Sequence, residues 1–362
     1  MMIPAAKPII GEEEREAVDR VLRSGMLTSG PEVAAFEDEF SEYVGGRHCI
    51  AMNSGTSALH LALLAMGIGA GDEVIVPSFS FAATANAVAL TGATPVFADI
   101  DRATFNLDPD AARAAITPRT KAIMPVHLYG QLAAMERFES LAEEHGLQII
   151  EDSAQSHLAA LNGRNAGEWG QTACFSFYPT KNMTSGEGGM VVTPDEKVAR
   201  MLRLLRSQGM ERRYENEVVG FNTRMTDIHA AIGRVQLRKL PEWTKQRQAN
   251  AAFLDANIKG VVIPHVAPGA THVYHQYTIR IPVETGVERD AFMASLGEKG
   301  VGSGVYYPIP IHRLPSFKLT VDLPETELAC RRVLSLPVHP ALSGDDLKSV
   351  AEAVSQTASE LL

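Results

Sequence analysis

Leu147-Gln148-Ile149-Ile150-Glu151-Asp152 is a short apolar run closing on two carboxylates, and its length and composition predict a buried β-strand. Asp72-Glu73-Val74-Ile75-Val76-Pro77 reads the same way. Around these two, β-rich runs alternate with helical stretches: 48–51 then 57–66, 73–77 then 82–90, 94–98, 122–125 then 135–145, and 148–151. Such alternation predicts a mostly parallel sheet covered by helices, an α/β fold. The carboxyl ends of its strands are where a ligand site is expected.

On the N-terminal side, Glu12, Glu13 and Glu14 open an amphipathic helix whose apolar face is Ala17, Val18, Val21 and Leu22. The Gly/Ser/Thr break at 24–31, with Thr28 in it, is a candidate substrate loop before a second helix over 32–43. On the C-terminal side, 172–193 predicts strands enclosing a Gly-rich loop, followed by helices at 194–207 and at 226–239 up to Pro241. From about 245 the order is helix 246–257, strand 277–281, helix 289–296 stopped by Gly297, a Pro-rich segment at 306–310 and a final helix from Gly344. The expected organisation is a large domain over 1–245 and a smaller α+β domain over 246–362.

The 362 residues are 45% hydrophobic and 21% charged, ordinary for a globular chain with a large core. Lys and Arg number 33 against 43 Asp and Glu, a net charge of -10 without a basic cluster, which argues against a nucleic-acid surface. An anionic ligand therefore needs a local site. Cys49, Cys174 and Cys330 stand far apart in no metal or disulfide spacing, so a reducing cytoplasm and no metal centre are expected. No run reaches the roughly 20 apolar residues of a membrane span, and residues 1–8 lack the features of an export signal.

Three segments could carry chemistry. Asn53-Ser54-Gly55-Thr56-Ser57-Ala58-Leu59 lies at a strand-to-helix junction, where free amides and the helix dipole favour a phosphate. Taken alone it reads as an ordinary Ser cap with a Gly turn, because such caps are common and the P-loop lysine spacing is absent. Asp152 could hold the protonated nitrogen of a heteroaromatic cofactor, with Gln155 reaching a ring oxygen from the same turn. Its alternatives are a helix cap, or a metal ligand together with His157. Lys181 sits among aromatics, hydroxyls and glycines in Phe175-Ser176-Phe177-Tyr178-Pro179-Thr180-Lys181-Asn182, and partial desolvation would make its amine a competent imine former. Most lysines are merely solvated surface charges. What distinguishes this one is the order of phosphate turn, strand-end Asp and Lys.

That order resembles the fold type I enzymes that use pyridoxal 5'-phosphate, and the wording resembles the DegT family of sugar-nucleotide aminotransferases. The resemblance runs through Ser29-Gly30-Pro31, the 53–59 turn, the stretch from Gly71 to Ser78, Pro125-Val126-His127-Leu128-Tyr129-Gly130-Gln131, Glu151-Asp152, the Lys181 segment and Gly220-Phe221-Asn222-Thr223-Arg224-Met225. It implies an aspartate-aminotransferase-like large domain with a smaller C-terminal domain. It also implies that Lys181 forms the imine with the cofactor, Asp152 pairs with its ring nitrogen and Gln155 contacts its ring hydroxyl. Phe81 would stack on the ring, and Gly55, Thr56 and Ser176 would bind phosphate. Asn222 would reach the phosphate of a neighbouring subunit in a homodimer. Thr28, Tyr307 and His312 are candidate substrate contacts. The implied reaction moves an amino group from glutamate to a keto sugar nucleotide. The alternatives are an enzyme of the same fold acting by dehydration, as in relatives that replace the Lys by His, or on a non-sugar substrate, and a non-catalytic cofactor-binding regulator. Two residues depart from the family pattern: Leu158 stands where Gly is usual, and Thr223 where Tyr is frequent.

Overall fold

Among residues 2–361, which the computed structural model describes, seven strands form the main sheet. They are β1 (His48–Met52), β2 (Glu73–Pro77), β3 (Thr94–Ala98), β4 (Thr120–Ile123), β5 (Gln148–Asp152), β6 (Thr172–Ser176) and β7 (Gly189–Thr193), in the spatial order β1-β7-β6-β5-β4-β2-β3. Six run parallel, and β7 pairs antiparallel with both β1 and β6. The reversal follows from the connection: the chain between β6 and β7 contains no helix, and a parallel return needs a crossover.

The helices are α1 (Glu12–Ser24), α2 (Pro31–Ser41), α3 (Gly55–Ala65), α4 (Ala83–Leu90), α5 (Pro109–Ala114), α6 (Met135–His145), α7 (Glu196–Arg206), α8 (Asp227–Asn257), α9 (Arg289–Glu298), α10 (Pro324–Arg332) and α11 (Gly344–Leu361). Both faces of the sheet are covered, so its strands are mostly buried and rich in apolar residues, and the period of two decides which side each residue serves. Ile149 packs with Phe138 and Phe40 on one face, whereas Ile150 packs with Val74, Val76 and the α3 residues Leu59 and Leu61 on the other. By the same alternation Glu151 turns to the first face and Asp152 to the side of α3 and α4.

One expected break does not occur. Instead of stopping at Pro241, α8 continues for 31 residues, so the expected division at 245/246 falls inside a helix. Proline removes one N–H and crowds the preceding turn. Here that cost is offset by burial at both ends: Leu237 and Leu240 belong to the core of the main sheet, and Ala251 and Leu254 to the C-terminal core. The latter core also holds Phe292, Leu296 and Val350, together with the antiparallel pair β8 (Tyr277–Arg280) and β9 (Val333–Leu336). Near the N-terminus, Ile3 pairs with Val301, which ties the arm to this C-terminal core.

Candidate active site

A cavity of about 660 Å³ opens where the carboxyl end of β5, the N-termini of α3 and α4 and the loop after β6 converge. Asp152, Lys181, Gly55, Thr56, Ser176 and Gln155 all line it, as do Phe81 and Tyr307. Eight of the expected site residues, drawn from segments more than 250 residues apart, are thus brought together.

The N-terminus of α3 is capped by Ser54, whose Oγ accepts from the Ser57 N–H at 3.1 Å while its carbonyl takes the Ala58 N–H. The amides of Gly55 and Thr56 remain open at the positive end of the helix, beside the buried hydroxyl of Ser176. Space is the reason for glycine here: a Cβ on Gly55 would stand 2.8 Å from that of Ser176. Three donors around such a cradle suit a phosphate.

Asp152 is 4% exposed. Its Oδ2 accepts from Thr84 Oγ1 at 2.8 Å and its Oδ1 from the Ala154 N–H at 3.2 Å. Burial pushes its carboxyl above the usual range, opposed by those two bonds and by the charges of Lys181 and His127. Behind it, fully buried Glu151 accepts from His127 Nε2 at 3.0 Å and from the amides of Gly167, Trp169 and Gly170 at 2.9, 2.9 and 2.7 Å. Burial alone would raise the Glu151 carboxyl, and this set of donors holds it low.

Lys181 lies on a turn closed by its own N–H to the Tyr178 carbonyl. The next residue anchors the loop, Asn182 Nδ2 donating to the Val273 carbonyl at 3.1 Å and its Oδ1 lying 3.1 Å from His275 Nδ1. Desolvation lowers the half-buried Lys181 ammonium to about 8, against the opposite pull of Asp152. A minority of its amine, though far more than for a solvated lysine, is therefore neutral near physiological pH.

Gln155 has a settled orientation, because its Oε1 accepts the Tyr129 N–H at 2.8 Å and its Nε2 donates to Tyr307 Oη at 3.0 Å. The Tyr129-Gly130 turn that supplies this N–H is left-handed at both residues, with φ of 58° and 105°. Phe81 is 59% exposed, its ring 6.1 Å from that of Tyr307.

Three expected residues lie elsewhere. His312 is fully buried, with Nδ1 2.7 Å from Ser78 Oγ and Nε2 3.6 Å from Glu327, so it fastens the segment after the Pro-rich run to the end of β2 and does not line this cavity. Thr28 is exposed and bridges to Thr226, outside this cavity. Asn222 is also outside it, its Oδ1 accepting from Arg224 Nε at 3.2 Å. His157 is turned between the rings of Phe175 and Phe177, at 5.3 and 5.7 Å, and burial drives its imidazole down to about 3. Leu158 adopts φ 65°, the region where glycine is free of strain. Ser80, Thr84, Tyr129 and His275 line the cavity without having been expected. Thr84 had one legible signal, its place one turn beyond Phe81; His275 had none. Among the described residues no group of three or more His, Cys, Asp or Glu side chains could hold a metal, and no helix is long and apolar enough to cross a membrane.

An amine of lowered basicity, a buried carboxylate and a phosphate cradle around one cavity fit pyridoxal phosphate, and the fold and site are those of a pyridoxal-phosphate enzyme. The chain belongs to the DegT/DnrJ/EryC1/StrS aminotransferase family, whose model matches residues 8–355. It is 42% identical over 363 residues to GDP-perosamine synthase of Caulobacter vibrioides, covering 98% of each chain. It is also 42% identical over 354 residues to a pleiotropic regulatory protein of Geobacillus stearothermophilus, covering 95% of this chain and 94% of that one. Among solved structures, the PLP form of Spr1654 from Streptococcus pneumoniae superposes with a TM-score of 0.94 at 28% identity, with 100% of both chains covered. The protein is an aminotransferase with pyridoxal phosphate as its cofactor.

Proposed function

We propose that the protein transfers an amino group from an amino acid, glutamate, to a keto sugar nucleotide, serving amino-sugar or surface-polysaccharide synthesis. The reading is supported above all by the one cavity that Lys181, buried Asp152 and the open N-terminus of α3 share. When bound, pyridoxal phosphate supplies a carbonyl that joins covalently to amines and a ring that takes up electrons from the substrate carbon.

In this reading the Gly55 and Thr56 amides and the Ser176 hydroxyl hold the phosphate, and Phe81 covers the ring. Asp152 accepts from the protonated ring nitrogen, which sharpens the ring's pull on electrons. Gln155 aims its Nε2 donor at the ring oxygen, since its Oε1 is already engaged by Tyr129. Lys181 first binds the cofactor and, once released by the amino donor, carries the proton away from the donor carbon and on to its new position. Tyr307, beside both Gln155 and Phe81, is a substrate contact. Thr28 and Asn222 lie outside the chain's own cavity, which supports a homodimer in which each copy lends its Asn222 to the other's phosphate site. All three cysteines are unpaired and buried, as suits the reducing cytoplasm in which sugar nucleotides are made.

Incubating the protein with glutamate and a panel of 3-keto and 4-keto sugar nucleotides, read by mass spectrometry, tests this: at least one aminated product is expected, and none across the panel would overturn it. The name of the Geobacillus relative favours a second reading, a cofactor-binding regulator; that reading predicts cofactor uptake without 2-oxoglutarate release.

A further inference from the structure

The two oxygens of Asp152 differ in their support. Oδ1 takes a backbone N–H from the adjacent turn at 3.2 Å, whereas Oδ2 takes the Thr84 hydroxyl at a tighter 2.8 Å. Thr84 Oγ1 in turn lies 2.9 Å from Ser80 Oγ. The direction of this chain follows from donor counting. An ionised carboxylate only accepts, so the single proton of Thr84 goes to Asp152, and the bond between the hydroxyls must be donated by Ser80. Ser80, Thr84 and Asp152 are 3%, 1% and 4% exposed, so water does not compete effectively for any of these bonds.

The arrangement is local in sequence on one side and remote on the other. Ser80 stands in the turn before α4 and Thr84 in its first turn, four residues on, so one helix start presents both hydroxyls in line; Asp152 arrives from the end of β5. All three also line the cavity. A carboxylate supported at Oδ2 from the α4 side cannot rotate without giving up that bond, so the lone pairs left over keep one direction.

We infer that Thr84, itself oriented by Ser80, is a positioning residue that fixes the Asp152 carboxylate as an acceptor for the cofactor's ring nitrogen. The inference rests on the reading of Asp152 as that nitrogen's partner. Neither hydroxyl touches the reacting atoms; they act through Asp152 alone. Their effect should therefore depend on the ring nitrogen being there.

The test compares pyridoxal phosphate with its 1-deaza analogue, in which a C–H replaces the ring nitrogen. Full-length protein freed of cofactor is titrated with each compound, and dissociation constants are read from protein fluorescence. Thr84→Val keeps the shape and removes the hydroxyl; it should weaken pyridoxal phosphate about tenfold, the loss of one hydrogen bond to a charged group, and leave the analogue within twofold of wild type. Thr84→Ser should restore wild-type values, and Ser80→Ala should show the same selective loss at about threefold. Equal weakening of both compounds, or of neither, overturns the inference. If Thr84→Val does not fold, Ser80→Ala carries the same decision. Asp152→Asn separates the two levels of the argument: if it does not discriminate between the compounds, the reading of Asp152 itself fails; if it discriminates and Thr84→Val does not, only the role of Thr84 fails.

Discussion

Burial favours the neutral form of both Lys181 and Asp152, and the site uses that outcome at Lys181 but opposes it at Asp152. Taking a base out of water favours its neutral form, so the Lys181 ammonium falls to about 8. The neutral amine is the nucleophile. The rate at which cofactor-free protein takes up pyridoxal phosphate should therefore rise with pH through about 8 and level off above it, as followed by stopped-flow absorbance. A rate that goes on rising through pH 9 without levelling, as for an ordinary lysine, would contradict the lowered value. Lys181→Ala should form no borohydride-stable adduct at any pH, and peptide mapping of the wild type should find the label on Lys181. For Asp152 the carboxylate must stay charged despite burial. Asp152→Asn keeps the size but removes the charge, and should slow proton removal from the amino donor on the order of 10²- to 10³-fold in single-turnover absorbance. An unchanged rate would count against its role. Asp152, Gln155 and Lys181 were legible because each follows a recognisable local feature, a strand end or an aromatic turn. The parts played by Tyr129 and His275 were not: Tyr129 lies in a segment that carries the family resemblance but showed no role of its own, and His275 reaches the cavity only through tertiary packing.

At the scale of elements, the strand ends and the start of α3 do the positioning. A methyl on Gly55 has no room against Ser176, so Gly55→Ala must push the N-terminus of α3 away from the β6 end. Pyridoxal phosphate affinity should drop about tenfold or more by equilibrium titration, with the far-ultraviolet circular dichroism unchanged. Retained affinity would place the phosphate elsewhere. Glu151 fastens β5 to the 167–170 segment through three amides and to His127 through a fourth donor, all of them buried away from water. Glu151→Ala should cost about 3–5 kcal/mol in denaturant unfolding, because it strands buried donors around His127 and three amides. The strands themselves were plain in the sequence, being apolar on both faces. The direction of β7 was not, because a strand's composition carries no sense of its orientation; only the helix-free loop before it decides that.

At the scale of the whole molecule, α8 joins two cores, passing through Pro241 with buried residues on either side. Its continuity was illegible because a proline weighs against a helix locally, while the burial that outweighs it is tertiary. The shared-site arrangement also belongs to this scale. In a heterodimer of one Lys181→Ala chain and one Asn222→Ala chain, the cavity with the intact Lys181 receives an intact Asn222 from the other copy. Cofactor affinity there should return towards wild type; affinity as weak as in the Asn222→Ala homodimer would show that Asn222 acts within its own chain or not at all. The central claim, that this cavity moves an amino group by way of Lys181, is met most directly by mixing the cofactor-loaded protein with ¹⁵N-glutamate and no acceptor. One 2-oxoglutarate per chain should be released, with the ¹⁵N retained on the protein-bound cofactor and neither event in Lys181→Ala. No 2-oxoglutarate, or release that persists in Lys181→Ala, would contradict it.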